Sequence, residues 1–364
     1  SLRCEDHVAR LGGDEFAVLV ENVADTAALE VVARRLFERL GEDILHRDRR
    51  IRVGASIGIA LAPDHGRDPN ELLRFADLAL YEAKRAGRNR MVVFTPTMEA
   101  ANRRRYEVAV AVRRALAENR IEPHYQPIVD LETGDLVGLE ALCRITGDNP
   151  LRIGPSEIFQ HAEIGCVVDL RVLERVCADM ATWRAEGVDD VAVSINVCDA
   201  EFWRDGFETR LFSELATHGL EPARLGIEVT ETAVVSEGEG LVRLLERLGR
   251  RGIALALDDF GTGYASLTHL KSLPIDRVKI DRSFVADVVF DGASRAIVEA
   301  LVRLGQALGK QVVAEGIETE AQRRALLDLG CRIGQGFLLG RPEPAAAVLE
   351  AMRSTLVSAR RRVV

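Results

Sequence analysis

Two hydrophobic rhythms divide this chain. In the first 95 residues, short apolar runs alternate with amphipathic stretches. Residues 9–20, ARLGGDEFAVLV, predict a β-hairpin with Gly12 and Gly13 in its turn and FAVLV as the return strand. Leu29, Val32, Ala33, Leu36 and Leu40 recur at helical spacing and predict a helix over 25–40. A strand follows at 51–61, then a helix over 70–86 that starts on Asn70 as its cap and ends at Gly87. Residues 97–119 place Ala109, Val112 and Leu116 on one face of a further helix, which we read as the connector, 96–118, between two domains.

Beyond residue 119 the rhythm becomes regular. IEPHYQPIVDL and GDLVGLEALCRI flank the turn ETGD and predict an antiparallel hairpin. Helices are then expected near 155–163, 167–186, 207–218, 237–250, 293–309 and 319–329. Strands between them fall at 191–197, 226–231, IALALDDF, DRVKID, QVVAEGI and a last short run around IGQGFLL. Strand and helix alternating over some 230 residues imply an α/β fold with a barrel of the (β/α)8 type.

That barrel gives the polar residues a place. Catalytic groups in such folds stand where the strands end. Here the apolar runs end in Glu140, Asn196, Glu228, Asp258 with Asp259, Lys279 and Glu315. Most are oxygen donors of the kind hard cations take, and a lysine beside them can face an oxyanion or a water. Asp258 and Asp259 are followed by GTG at 261–263, a flexible stretch, and Asp281 follows Lys279 closely.

Composition narrows the partners. The chain has 364 residues, 47% hydrophobic and 29% charged, enough for two ordinary globular domains. A net charge of −9 argues against nucleic acid as a direct partner, while a small anion can still be bound through metal ions. Cys4, Cys143, Cys166, Cys177, Cys198 and Cys331 lack metal-type spacing and read as reduced thiols in a cytoplasmic setting. No stretch is long and apolar enough to span a bilayer. The abrupt start suggests a fragment whose upstream sensor or membrane anchor would precede Ser1.

Two resemblances follow from these residues. GGDEF at 12–16, SIGIA at 56–60 and ADLALYEAKRAGRNR at 76–90 make residues 1–95 similar to the C-terminal half of a GGDEF, or diguanylate cyclase, domain. The resemblance implies that Gly12 and Gly13 approach GTP phosphates, Asp14 binds metal, Glu15 supports catalysis, and Lys84 and Arg88 contact phosphates. It also places Arg3 and Asp6 at a product-inhibition site. The family's first strand and following helices are not represented here, so the expectation is a partial domain without cyclase activity.

EALCR at 140–144, SIN at 194–196, EVTET at 228–232, DDFGTGYASL at 258–267, VKID at 278–281, AEGIET at 314–319 and QGF at 335–337 resemble the EAL family of cyclic di-GMP phosphodiesterases over about 119–355. The resemblance implies a TIM-like barrel that opens cyclic di-GMP to linear pGpG with two Mg²⁺ or Mn²⁺ ions. Glu140, Asn196, Glu228 and Asp258 would bind one ion, with Asp258 bridging to a second that Asp259 helps to hold and Glu315 nearby, as a ligand or through a water. Lys279 would orient or activate the water, or act electrostatically. Arg144 would grip a phosphate, and Gln335 and Glu318 would be supporting or substrate-side groups. Glu231 would brace the loop that starts at Asp259, with Gly261 and Gly263 letting it move, or else cap the next helix. Cys198 after SINV and Ile145 after EALCR depart from the pattern beside the site. A homodimer through the barrel is expected. The alternatives are a non-catalytic cyclic di-GMP receptor, or a longer protein that both makes and cleaves the dinucleotide.

Overall fold

The computed structural model describes every residue except 1, 4, 24, 25, 47, 48, 159–161, 189, 190, 262–269, 271, 272, 363 and 364. Cys4 and Gly263 therefore lie outside the described residues. The chain forms two compact units, Ser1–Glu107 and Val108–Val364.

In the first unit β1 (His7–Gly12) and β2 (Glu15–Leu19) form the expected antiparallel hairpin, with Gly13 at φ 53° in its turn. Helix α1 (Thr26–Leu40) is followed by the small pair β3 (Ile44–His46) and β4 (Arg49–Ile51). The strand expected at 51–61 is broken. Its first residue closes β4, whereas β5 (Ile57–Ile59) is parallel to β6 (Met91–Val93). A continuous apolar run does not say which partner each part will find, and here the two parts find different ones.

Helix α2 (Pro69–Arg85) lies on the β5–β6 pair through Phe75 and Ala79, and Phe75 stacks on Phe94 at 4.2 Å. Gly58 permits this approach, because a Cβ there would sit 2.0 Å from the Ala76 carbonyl oxygen. The cap of α2 is Asp68, whose Oδ1 accepts from the Asn70 N–H at 3.0 Å, so Asn70 is not the cap. Pro69 takes the first helical position, where a missing N–H costs nothing.

Helix α3 (Pro96–Ala117) carries residues of both units, and the division falls inside it. Its Val108, Ala109, Val112 and Ala115 belong to the core of the second unit. That unit is a closed barrel of β7 (Ile121–Asp130), β8 (Leu136–Ile145), β9 (Val193–Asn196), β10 (Leu225–Thr230), β11 (Ala254–Phe260), β12 (Arg277–Ile280), β13 (Gln311–Ala314) and β14 (Ile333–Gly334), each beside its sequence neighbours. Pairing of β14 with β7 closes the ring, and β15 (Glu343–Pro344) adds to the end of β7.

The barrel departs from all-parallel order in one strand. β7 runs antiparallel to β8 and to β14, while β8 to β14 are mutually parallel. Only five residues join β7 to β8, too few for the crossover that parallel strands need.

Successive side chains on a strand face opposite ways. On β8, Leu139, Ala141 and Cys143 join the apolar layer that includes Val172, Val176 and Met180 of helix α5 (Ala162–Ala185), which leaves Glu140 on the inner face. A short helix α4 (Pro155–Ile158) precedes α5, and α6 (Phe207–Thr217) buries Leu211 and Leu215 in the same layer. Helix α7 (Glu231–Arg250) begins six residues before the expected 237, directly at the end of β10. Thr230 starts it, its Oγ1 accepting from the Ala233 N–H at 3.1 Å. Among the described residues no helix is long and apolar enough to cross a membrane.

Candidate metal centre

The strand registers bring the inner-face polar residues to one rim. Glu140 is level with Ser194, Asn196 with Glu228, and Thr230 with Asp258. Between Leu257 and Phe260 the ladder with β12 is irregular, and Asp259 adopts φ 54°, a left-handed conformation that costs a non-glycine residue energy. This local distortion lets adjacent aspartates serve one site: oxygens of Asp258, Asp259 and Glu315 lie within 4.8 Å of one another.

Lys279 stands at the centre, 2% exposed. Its Nζ is 3.2 Å from Glu140 Oε2, 3.2 Å from Asp258 Oδ1 and 2.6 Å from Glu315 Oε1, and it is also bonded to Glu228 Oε2. Asn196 Nδ2 donates to Glu140 Oε1 at 2.8 Å. Gln335 Nε2 donates to Glu140 Oε2 at 2.5 Å and to Glu315 Oε1 at 3.2 Å. Glu140, Glu228 and Asp258 thus converge on one nitrogen, and Asn196 is tied to the first of them.

Four carboxylates around one ammonium, with Asp259 beside them, set the electrostatics. Burial opposes the charge on Lys279, but Glu140, Glu228, Glu315 and Asp258 outweigh it and hold the lysine protonated well above its ordinary range. Burial also works against the Glu140 carboxylate, yet Lys279, Gln335 and Asn196 together keep it below the usual value. Glu228 is pushed up to about 8 by burial and by the charge of Glu140, against the pull of Lys279. Burial and Asp258 raise Asp259 to about 6, and burial lifts Glu315 well above its normal range despite Lys279. The carboxylates outnumber the positive charge that the protein supplies.

Hard divalent cations fit this donor set. Asp258 Oδ1 is buried and has no hydrogen-bond partner among the described residues, its contact with Lys279 lying outside hydrogen-bonding geometry. Carboxylate and amide oxygens are the ligands that Mg²⁺ and Mn²⁺ take.

Other predicted residues fall into distinct positions. Glu231 is buried, and its Oε2 accepts from the Gly261 N–H at 3.1 Å, so it is bonded to the segment that follows Asp259. It is not the helix cap, since Thr230 fills that role. Arg144 is half-buried four residues beyond Glu140, with Nη1 donating to the Cys143 carbonyl at 2.9 Å, outside the carboxylate cage. Gln335 is buried inside the cage. Glu318 is exposed, and only its backbone N–H is engaged among the hydrogen bonds described, donating to Gln322 Oε1 at 2.9 Å.

In the first unit Asp14, Lys84 and Arg88 are exposed, and Glu15 lies 3.7 Å from Lys84. The Gly13 carbonyl accepts from Arg10 at 2.6 Å. Asp6 accepts from the backbone N–H of Arg3 at 2.6 Å, while the Arg3 guanidinium lies 3.7 Å from Glu5. Gly12 opposes Glu15 across the hairpin.

Sequence reasoning missed Ser194. Its Oγ donates to Glu228 Oε1 at 2.6 Å. The signal was available: Ser194 is two residues before Asn196 and therefore shares its inward face.

A closed barrel with a cage of oxygen donors at its rim defines a metal-binding barrel of the kind that can activate water and stabilise a developing oxyanion. The chain belongs to the EAL domain family, whose model matches residues 109–342, and residues 1–90 match the diguanylate cyclase, GGDEF domain. It is 39% identical over 357 residues to the bifunctional diguanylate cyclase/cyclic di-GMP phosphodiesterase MucR of Pseudomonas aeruginosa, covering 97% of this chain and 52% of MucR. The solved PaMucR phosphodiesterase in complex with c-di-GMP is 38% identical with a TM-score of 0.61, over 66% of this chain and 99% of that one. Klebsiella pneumoniae BlrP1, in a manganese/cy-diGMP complex at pH 6, is 31% identical with a TM-score of 0.56, over 62% of this chain and 56% of that one. The chain spans about half the length of the curated relatives it matches.

Proposed function

We propose that this chain hydrolyses cyclic di-GMP to linear pGpG, using two divalent cations, Mg²⁺ or Mn²⁺. The observation that carries the reading is the meeting of Asp258, Asp259 and Glu315 oxygens within 4.8 Å, beside a buried lysine that contacts Asp258, Glu315 and the two other rim carboxylates, Glu140 and Glu228. The ligand-bound relatives support the choice of substrate.

In this reading Glu140, Asn196, Glu228 and Asp258 would hold one cation, and Asp259 and Glu315, beside Asp258, would hold the other. The bound ions supply Lewis acidity toward the phosphodiester and a lowered pKa for water. The water oxygen bonds to phosphorus and gives up a proton, the P–O3′ bond breaks, and the 3′ oxygen takes up a proton in its place to leave as a hydroxyl. Lys279, held protonated, is a hydrogen-bond donor rather than the base: it orients the water and offsets charge as it builds on the phosphoryl oxygens. Gln335 fixes the angle between Glu140 and Glu315 by donating to both. Arg144, outside the cage, presents a planar fork suited to a substrate phosphate.

The Glu231 to Gly261 bond anchors the backbone just after Asp259, which keeps that carboxylate in reach of the site. The first unit contributes no cyclase activity in this reading, and the active species is a homodimer formed through the barrel. The test is chromatography of nucleotides after incubating the purified chain with cyclic di-GMP and Mn²⁺ or Mg²⁺. Production of pGpG that stops with chelator and with Glu140→Ala is expected. Binding of the dinucleotide without turnover in either metal would instead make the chain a receptor.

A further inference from the structure

Glu228 has two oxygens, and the barrel gives them different tasks. Oε2 faces the Lys279 ammonium among the other carboxylates. Oε1 points away from that convergence and receives the Ser194 hydroxyl at 2.6 Å. Ser194 is 6% exposed, and its alternative acceptor, the Leu139 carbonyl, is 3.5 Å away, so the carboxylate is its main partner.

The surroundings favour this one contact. Ser194 is level with Gly226 on β10, and a Cβ at Gly226 would stand 3.1 Å from the Ser194 Cβ. Absence of that atom leaves the serine side chain unpressed. A small cavity of about 10 Å³ is lined by Ser194, Gly226, Glu228 and Lys279 together with apolar neighbours such as Ile128 and Leu255.

The geometry points to Ser194 as a positioning residue of the cation site: its hydroxyl locks the rotation of the Glu228 carboxylate so that Oε2 is presented to the metal. This rests on the reading of Glu228 as a ligand given above. Without that donor the carboxylate is held through Oε2 alone, by Lys279, and loses one of the two contacts that fix the rotation of its last bond. Partners that orient a ligand in this way are typically worth about 10–100-fold in metal affinity.

The test is a Mn²⁺ titration of the full chain without nucleotide, following free Mn²⁺ by electron paramagnetic resonance, beside steady-state hydrolysis at varied Mn²⁺. Ser194→Ala should weaken Mn²⁺ binding about tenfold or more, raise the Mn²⁺ needed for half-maximal turnover by the same factor, and keep kcat at saturating Mn²⁺ within about threefold. Ser194→Thr, which restores the hydroxyl, should recover binding to within about threefold. A Ser194→Ala protein that binds Mn²⁺ like the parent overturns the proposal, as does a Ser194→Thr protein as weak as the alanine variant. Glu228→Ala separates the two readings. If it abolishes Mn²⁺ binding while Ser194→Ala does nothing, only the role of Ser194 fails; if it leaves binding intact, the ligand assignment falls and Ser194 with it.

Discussion

Replacing Lys279 by methionine removes the only ammonium bonded to Glu140, Glu228, Asp258 and Glu315 among the described residues, while keeping similar volume. The four carboxylates then face one another in a site where Glu140 and Glu228 are each 3% exposed. Taking one partner from a buried charge network costs about 3–5 kcal/mol. For a barrel of this size each kcal/mol moves the melting midpoint by about 2–4 °C, so a fall of roughly 6–20 °C is expected in chelator.

The loss should depend on pH. Without the ammonium, the clustered carboxyls keep their protons to higher pH in the folded protein than in the unfolded chain, so folding takes up protons. Stability then declines as pH rises above the unfolded carboxylate range, and the deficit is larger at pH 8 than at pH 6. Added Mn²⁺ should return part of the lost stability by supplying the missing positive charge, while kcat stays down by about 10²–10³-fold for want of the donor. Thermal unfolding followed by circular dichroism, with chelator and with Mn²⁺ at both pH values, reads each part. A variant as stable as the parent in chelator at pH 8 would refute the claim that this lysine neutralises the cage.

Three further outcomes are expected. Because protons compete with cations at Glu228, raised to about 8, and at Asp259, raised to about 6, Mn²⁺ affinity should climb between pH 6 and pH 8, by up to about tenfold per unit for each proton displaced; isothermal titration at three pH values checks this, and a flat profile contradicts it. Glu231→Ala removes the acceptor of the Gly261 N–H and should cut turnover at least about tenfold while lowering the midpoint by only a few degrees, about 1–3 kcal/mol; equal turnover would show that the bond does not position Asp259. Tyr125→Phe takes the 2.6 Å hydrogen bond from the half-buried Asp179 and should cost about 1–3 kcal/mol in urea unfolding with kcat unchanged, since this pair lies on the helix side of β7.

Much of the barrel was legible because strands and helices carry different periods, and the turn ETGD joins strands too closely for a crossover. Helix starts were read less well where a cap outranked the apolar pattern. Asp68 rather than Asn70 begins α2, and Thr230 starts α7 through EGEG, a glycine-containing stretch that carries no helical stripe. The rim residues were legible for a related reason: an apolar run that stops at a carboxylate is visible in one dimension.

What the amino-acid order determined alone was therefore the kind of donor and the strand that bears it: Glu140, Asn196, Glu228, Asp258, Asp259, Lys279 and Glu315, each inward or at a strand end by alternation. Which of them meet was decided by the closed ladder. Pairing of β14 with β7 carries Gln335 across 195 positions of sequence to Glu140, and the irregular ladder after Leu257 turns two adjacent aspartates to one place. Ser194 acquires its role only because β9 and β10 are in a register that sets it beneath Glu228. Registers are set by hydrogen bonds and packing between distant segments, and those energies have no local trace in the chain.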